Sequence, residues 1–339
     1  MIKKFFKAFV ILSSAIILML LIFFTDGFEE LVNMLVNAKY RWIAASFACM
    51  VVYWLVDSAI IQIIVAALHK RQRPVDSLKV AMIGNFFNSI TPFALGGQPA
   101  QVYVMVKDGI KPGHAASVFV IKSALYQVVI MLYCLVVVFA KGPFFAQRIP
   151  EFYLLYFTGL IINVITILVY ALFVFKRKAA YKLLMFVNKL LKKIRFLKNS
   201  DRLIKKVEKE LISFTDGVSL LRNKKGVVYG AVILQAVQFT LLFAVPYFIY
   251  LAVQGGGASM WNIVAAQSVV TMVTLLVPSP GSTGGAEGLS YLFFKMFFKP
   301  EIIIPVILIW RIITYYSNIV FGGLISVFAP EKPLKNRLE

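Results

Sequence analysis

Long apolar runs separated by short polar connectors dominate the chain. Six of these runs are continuous enough to cross about 30 Å of hydrocarbon as helices. They lie at about residues 5–24, 42–68, 115–140, 152–175, 227–253 and 302–328. Two more runs, at about 80–106 and 262–298, are interrupted by proline and glycine. The pattern predicts an all-α integral membrane protein in which a single transmembrane domain takes up residues 1–339.

The composition supports this prediction. Of the 339 residues, 60% are hydrophobic and 15% are charged, and the mean hydropathy is +0.82. Soluble domains average about 45–50% apolar and about 25% charged residues, so much of this apolar surface must face lipid. The two cysteines lie in apolar segments and the two histidines in short basic connectors, with no further ligating residues nearby. We therefore expect no disulfide, no metal site and no cofactor.

Basic residues set the expected sidedness. Residues 176–225 carry 16 lysines and arginines against four acids, so this connector holds +12 of the chain's net charge of +21. Connectors this short and this basic stay in the cytoplasm. Apolar residues at helical spacing among the basic ones predict an amphipathic linker that binds anionic lipids of the inner leaflet. A plain positive-inside anchor is the alternative. Nucleic-acid binding is not expected, because the basic residues flank membrane segments.

A count of crossings predicts the topology. Lys3, Lys4 and Lys7 precede an apolar run longer than the core of a signal peptide, which indicates an uncleaved first span that starts in the cytoplasm. A single crossing by 80–106 would place the basic linker outside the cell, and a single crossing by 262–298 would place the basic terminus with Lys332, Lys335 and Arg337 there. Both segments are therefore predicted to be re-entrant hairpins that enter from opposite faces. Both termini are then cytoplasmic.

The two hairpins share a sequence pattern. The first contains Thr91-Pro92-Phe-Ala-Leu-Gly96-Gly97-Gln98, which aligns without gaps with Ser279-Pro280-Gly281-Ser282-Thr283-Gly284-Gly285-Ala in the second, at an offset of 188. Each half of the chain then consists of one span, one hairpin and one span, over 42–140 and 227–328. Because their hairpins enter from opposite faces, these halves are predicted to form an inverted-topology repeat.

This architecture points to transport. Broken backbone at membrane depth must be shielded by protein or line a wet cavity, since unpaired amides in lipid cost several kcal/mol. Paired Pro/Gly-broken segments mark the substrate site of many transporters, and their helix N-termini suit anionic groups. The candidate substrate-binding residues are Thr91, Pro92, Gly96, Gly97, Gln98 and Gln101 in the first hairpin, and Ser279, Pro280, Gly281, Ser282, Thr283, Gly284, Gly285 and Glu287 in the second. The alternative is that the two Pro/Gly-broken segments only shape the packing of the helices and bind no substrate.

Charged residues inside the spans add to the candidate site. Lys122 lies about 10 Å into its span, and Arg311 lies about 14 Å into its own span, which enters from the opposite face. Each is followed four residues later by a tyrosine, Tyr126 after Lys122 and Tyr315 after Arg311. Tyr315 is predicted to belong to the substrate site. Two cations at matching depths suit the passage of an anionic head group from one to the other. The alternative is a static ion pair of Asp57 with Lys122, or of Glu287 with Arg311, and we favour the static role for Asp57.

The combination resembles the flippase-like transmembrane domain of the lysylphosphatidylglycerol synthase family, as found in the multiple peptide resistance factor. The residues that carry the likeness are Asn85-Phe-Phe-Asn88-Ser-Ile-Thr91-Pro92, Gly96-Gly97-Gln98, Val277-Pro278-Ser279-Pro280-Gly281-Ser-Thr-Gly284-Gly285-Ala-Glu287-Gly288 and Trp310-Arg311-Ile-Ile-Thr-Tyr315-Tyr316. The likeness covers nearly the whole chain. The first hairpin departs from the family's commoner form, because Gln98 and Gln101 stand where an acid is expected.

The resemblance implies a flippase of aminoacylated phosphatidylglycerol, or of a related lipid, in a bacterial cell membrane, where it protects against cationic antimicrobial peptides. Family proteins add a cytoplasmic aminoacyl-transferase domain, for which we expect no room after the last span. We therefore predict no catalytic residues here. The alternatives are a lysyltransferase or its membrane subunit, and a secondary transporter of a small anion. A separate aminoacyl-transferase and a second copy of the chain are the remaining partners that the sequence leaves open.

Overall fold

The computed structural model of the chain describes residues 28–68, 72–175, 217–220, 224–274 and 277–328. The predicted first span at 5–24 and nearly all of the basic linker at 176–225 lie outside the described residues. The regular secondary structure of the described residues consists of helices and one isolated β-bridge. The prediction of an all-α membrane protein is therefore confirmed.

The helices follow one another with short connections. In chain order they are α1 (Phe28–Asn37), α2 (Tyr40–Leu68), α3 (Pro74–Ile90), α4 (Gly97–Lys107), α5 (Pro112–Ala146), α6 (Phe152–Phe175), α7 (Lys225–Val253), α8 (Met260–Thr274), α9 (Gly285–Phe294), α10 (Ile303–Arg311) and α11 (Ser317–Phe328). A 3-10 turn (Pro300–Ile302) precedes α10, and a π-helical turn (Ile312–Tyr316) joins α10 to α11. Residues 300–328 thus form one continuous span.

Five segments in this part of the chain are long and apolar enough to cross a membrane. They are α2, α5, α6, α7 and the continuous span 300–328, each of 21 residues or more. These are the five predicted spans that fall on described residues. Helix α5 runs to Ala146, beyond its predicted end near 140, because Phe145 is fully buried and stacks on Phe152 with ring centroids 5.3 Å apart.

Each interrupted segment consists of two helices too short to cross the bilayer. Helices α3 and α4 have 17 and 11 residues, and α8 and α9 have 15 and 10. At 1.5 Å per residue the longest of them spans about 26 Å. In the first segment the two helices pack closely, since a Cβ atom on Gly84 would lie 2.0 Å from the Nε2 atom of Gln101. The segments are thus two helix–turn–helix units, and their opposite entry into the membrane stays a prediction.

The two halves interlock. Helices α2 and α7, the first spans of the two halves, pack against each other along their length. Helix α3 packs on α11, and α8 packs on α5, so the first helix of each unit lies against the last span of the other half. The α3–α11 contact is close because Gly322 has no side chain: a Cβ atom there would lie 2.6 Å from the backbone oxygen of Met82. Small residues at such contacts are typical of membrane helices.

Helix α6 has two faces. Its exposed stripe is apolar and consists of Leu154, Phe157, Ile161, Ile165 and Leu168. Residues spaced three or four apart lie on one face of a helix, so this stripe suits lipid. The opposite face turns inward, where Tyr156 and Asn163 are buried.

Helix α1 was not predicted. It lies in the connector between the predicted first and second spans, yet Met34 is buried and the helix packs on the 3-10 turn and α10. Leu35 packs beside Met34 while Val32 and Val36 are exposed, which makes α1 a short amphipathic helix. Such a helix is too short to register as a span in hydropathy.

Candidate functional site

The tips of the two helix–turn–helix units meet. Pro92 and Pro280 lie opposite each other in an isolated antiparallel β-bridge. Proline has no N–H group, so any backbone hydrogen bond between the tips must come from the neighbouring residues. The contact joins two positions that are 188 residues apart, which is the offset of the sequence pattern.

The two tips have the same backbone geometry. Phe93 and Ala94 have φ angles of 54° and 52°, and their counterparts Gly281 and Ser282 have 59° and 55°. Two consecutive positive φ angles closed by a hydrogen bond across four residues are typical of a type I′ turn. That bond runs from Leu95 N–H to the Pro92 oxygen in the first tip, and from Thr283 N–H to the Pro280 oxygen in the second, at 3.2 Å in both. Positive φ angles are uncommon outside glycine, so the occurrence of the same turn at matching positions supports the predicted internal repeat.

Side chains of the first unit cap the N-terminus of α4. The hydroxyl of Thr91 accepts a hydrogen bond from Gly96 N–H at 2.9 Å, and the Oδ1 atom of Asn88 accepts one from Gly97 N–H at 3.0 Å. Gly97 is needed for this approach, because a Cβ atom there would lie 2.1 Å from Asn88 Oδ1. The N–H groups expected to bind an anion are thus partly occupied by the protein itself.

In the second unit, a carboxylate takes the same place. Glu287 accepts hydrogen bonds from Gly284 N–H at 2.7 Å and from the Nε group of Arg311 at 2.7 Å. Arg311 also donates through Nη1 to the backbone oxygen of Gly281 at 3.1 Å. This network joins the tip, the N-terminus of α9 and the last span.

Arg311 is enclosed. Its side chain is only 7% exposed, and its guanidinium lies 5.2 Å from the ring centre of Trp310 and 5.0 Å from that of Tyr315. The hydroxyl of Tyr315 donates to the backbone oxygen of Ser89 at 3.1 Å and so joins the last span to the first unit. The predicted Glu287–Arg311 ion pair is therefore present, with aromatic rings beside it.

A cavity of about 520 Å³ lies beside the tips, which form part of its wall. It is formed by α2–α8, both tips and α11. Its polar lining residues are Tyr53, Asp57, Asn85, Asn88, Ser89, Gln98, Gln101, Lys122, Ser123, Tyr126, Gln127, Asn163, Thr166, Tyr170, Gln238, Ser282 and Asn318. Small-molecule sites usually enclose about 300–1,000 Å³. A polar chamber of this size inside an apolar helical bundle is the clearest candidate site in the described part of the chain.

The charged residues in the cavity wall form one ion pair. The Nζ atom of Lys122 lies 2.5 Å from Asp57 Oδ1, and the two side chains are 15% and 4% exposed. This is the static pair considered for the two residues from the sequence, and it lies in the cavity wall. Across the described ranges, no three His, Cys, Asp or Glu side chains come close enough to hold a metal ion.

The predicted site residues divide into two groups. Five of them line the cavity: Gln98, Gln101, Lys122, Gly281 and Ser282. The others shape or support the tips, away from the cavity lining: Thr91, Pro92, Gly96, Gly97, Ser279, Pro280, Thr283, Gly284, Gly285, Glu287, Arg311 and Tyr315. The two cations expected to act in sequence therefore have different surroundings, because Lys122 lines the cavity and Arg311 is outside the lining, bonded to the second tip.

Several lining residues were not predicted as part of the site. They include Tyr53, Ser123, Gln127, Asn163, Tyr170 and Gln238, which are single polar residues within apolar spans. A polar side chain inside a span is costly in lipid and normally faces the interior. That rule identifies such residues one by one. It does not show that helix α6, which belongs to neither half of the predicted repeat, completes the wall.

Comparison with known proteins places the chain in a family. Residues 10–322 match the model of the lysylphosphatidylglycerol synthase TM region. The chain belongs to this family. It is also similar to a UPF0104 membrane protein of Archaeoglobus fulgidus, with 24% identity over 314 residues that cover 89% of this chain and 91% of the relative. A second UPF0104 membrane protein, from Pyrococcus horikoshii, is 22% identical over 339 residues and covers 98% of each chain.

The family match covers the whole cavity lining and both tips. It includes every lining residue and every residue of the Glu287–Arg311 network. The two archaeal relatives extend over nearly the same length and are described only as membrane proteins. Membership of the lysylphosphatidylglycerol synthase TM family thus agrees with the resemblance drawn from the motifs, and the chain is a multi-pass membrane protein.

Proposed function

We propose that this protein moves phospholipids between the leaflets of the membrane and carries their polar head groups through the cavity beside the hairpin tips. The family resemblance suggests an anionic or aminoacylated lipid, such as lysylphosphatidylglycerol, as the substrate. The observation that supports the proposal most directly is the polar cavity itself. An apolar bundle gains nothing from so many inward polar side chains unless a polar group or water enters.

The tips are suited to act as the barrier in this path. The second tip lies between groups of both kinds, because Gly281 lines the cavity and its backbone oxygen accepts a hydrogen bond from Arg311, which is outside the lining and also bonded to Glu287. Movement of the tips apart would connect the space around Lys122 with the space around Arg311. A phosphate group could then pass from one cation to the other, as the matching depths of the two residues suggest. Alternating exposure of one site by two repeats is the usual device of such transporters.

A reversible cross-link between the tips tests the proposal. Opposed residues in an antiparallel pair have Cα atoms about 4.5–5.5 Å apart, which lies inside the range of about 4.4–6.8 Å that a disulfide requires. Pro92→Cys and Pro280→Cys are combined in a background in which Cys49 and Cys134 are replaced by alanine. The purified protein is reconstituted in liposomes with fluorescent phosphatidylglycerol or lysylphosphatidylglycerol, and leaflet exchange is followed by quenching.

We expect the oxidised double variant to lose its acceleration of lipid exchange over empty liposomes, and a reductant to restore it. The two single-cysteine variants serve as controls and should respond to neither treatment. Equal rates in the oxidised and reduced double variant would show that the tips are not the barrier. No acceleration by the unmodified protein with any phospholipid would reject lipid translocation itself.

A further inference from the structure

The cavity wall is electrically neutral, which limits the head groups it suits. Of the residues that line it, Asp57 and Lys122 are the charged ones, and they lie 2.5 Å apart. Each therefore neutralises the other before any ligand enters. A head group with several charges would find few counter-charges here. Selectivity must come mainly from uncharged hydrogen-bonding groups.

Those groups are mostly carboxamides. Eight of the lining residues are asparagine or glutamine, drawn from α3, α4, α5, α6, α7 and α11. Such a density of amides is unusual in apolar helices, where each buried amide needs a partner. Serine, threonine and tyrosine hydroxyls lie between them.

Several of these amides use one end to bind the protein. Gln98 donates through Nε2 to the hydroxyls of Ser123 at 2.8 Å and Tyr170 at 3.3 Å, which leaves its Oε1 atom outside those bonds. Asn88 accepts from Gly97 N–H through Oδ1, so its NH₂ group is not used there. The first bond leaves an acceptor for a ligand, and the second leaves a donor.

Two further amides in the lining, Asn163 and Asn85, each have a buried polar atom without a hydrogen-bond partner. Asn163 donates through Nδ2 to Gln127 Oε1 at 2.7 Å, yet the Oδ1 atom of Asn163 is buried and has no hydrogen-bond partner. The Nδ2 atom of Asn85 is also buried without a partner. Asn163 as a whole is 3% exposed. A buried polar atom without a partner is costly, so a ligand that draws either side chain toward the cavity and supplies the missing bond is favoured.

Mixed donors and acceptors on fixed side chains fit hydroxyl groups best. A hydroxyl both donates and accepts, whereas an ammonium group only donates and a phosphate only accepts. We propose that the cavity selects lipids with a polyhydroxylated head group, such as a sugar or inositol on a phosphodiester. The inference rests on the proposed function and, of the anionic and aminoacylated lipids named there, favours an anionic lipid with hydroxyl groups over one that carries ammonium groups. Lys122, which keeps further N–H donors beside Asp57, suits the single phosphodiester.

Binding of soluble head groups tests the inference without requiring transport. Isothermal titration calorimetry on the purified protein in detergent compares glycerophosphoinositol, glycerophosphoglycerol and glycerophosphoethanolamine, which carry many hydroxyls, few hydroxyls and an ammonium group. We expect affinity to fall in that order, by about tenfold or more between the first and the last, since several hydrogen bonds differ. Equal or tighter binding of glycerophosphoethanolamine would overturn the inference. So would the absence of binding by glycerophosphoinositol.

Two variants locate the selectivity. Asn85→Leu removes an amide whose Nδ2 atom bonds to no protein group, and Tyr170→Phe removes a hydroxyl with little change in volume. Each should weaken glycerophosphoinositol binding about three- to tenfold and leave glycerophosphoethanolamine nearly unchanged. Gln254→Leu is the matched control, because its Oε1 atom is likewise buried without a partner but lies outside the cavity lining. Equal weakening of both ligands, or of neither, would overturn the inference.

The outcomes for the function and for the inference are separable. Lipid exchange in liposomes without preference for a polyhydroxylated head group would leave translocation standing and reject the substrate class. Selective head-group binding without lipid exchange would reject translocation and leave the preference of the cavity for polyhydroxylated head groups standing. Thermal unfolding of each variant in detergent shows whether a loss of binding reflects a loss of fold.

Discussion

Gly281 is the tip position at which one added methyl group is expected to be most harmful. Its φ angle is 59°, in the left-handed region that L-residues rarely adopt. A Cβ atom there would lie 2.0 Å from Cε2 of Tyr315 and 2.5 Å from Cζ of the same ring. Gly281→Ala therefore introduces backbone strain and also displaces a tyrosine that joins the two halves.

The expected loss of stability in Gly281→Ala is the sum of the backbone strain and of the contacts that the displaced Tyr315 ring loses. The left-handed backbone costs about 1–2 kcal/mol for a residue with a Cβ atom. Displacement of Tyr315 endangers its hydrogen bond to Ser89 O, worth about 0.5–1.5 kcal/mol, and its contact with the Arg311 guanidinium, worth about 0.5–1 kcal/mol. We expect Gly281→Ala to lower the free energy of unfolding by about 2–4 kcal/mol.

A Tyr315→Ala background is the control, because it removes the ring that a Cβ atom at Gly281 would meet. In that background Gly281→Ala should cost only the backbone part, about 1–2 kcal/mol. The measurement is equilibrium unfolding in mixed micelles, followed by tryptophan fluorescence. An equal penalty for Gly281→Ala in the unmodified protein and in the Tyr315→Ala background would refute the steric reasoning.

Two further predictions concern the ion pairs and use the same unfolding measurement. Lys122→Met should cost about 3–5 kcal/mol, because it leaves the 4%-exposed Asp57 carboxylate without a counter-charge, and Asp57→Asn in that background should recover part of the loss. The Glu287→Gln and Arg311→Met changes should be non-additive by about 1–3 kcal/mol, and less so than the first pair, because Glu287 is 34% exposed and water can solvate it. Additive effects in either pair would show that the ion pair contributes no coupling.

The spans and the two interrupted units could be predicted from the sequence because lipid imposes simple rules. A helix must be apolar for about 20 residues to cross, and a proline followed by two glycines interrupts such a run, whereas the single Pro246 inside α7 does not. The shared pattern around Pro92 and Pro280 even located the two positions that meet in the structure. Helix α1 could not be predicted this way, because its burial depends on contact with α10 and not on its own hydropathy.

The site was predicted less completely, for a geometric reason. Sequence spacing identifies which residues lie at similar depth, but not which way each side chain points across a bundle. Lys122 and Arg311 match in depth, yet Lys122 faces the cavity and Arg311 is enclosed by Trp310 and Tyr315. Similarly, the free N–H groups expected at the start of α4 are bonded to Thr91 and Asn88.

The two halves share their turns but not their polar residues, and this difference bears on the proposed transport. At the offset of 188, Asn85, Gln98 and Gln101 correspond to Val273, Ala286 and Leu289. A cavity formed on the other side by the second half would therefore lack most of the amides that line the first. A head group that crossed the tips would leave a polar site for one whose main polar feature is the Glu287–Arg311 pair. Weaker binding of the head group beyond the tips speeds its release there. The transfer from the cavity to that weaker site is uphill by the difference between the two binding free energies.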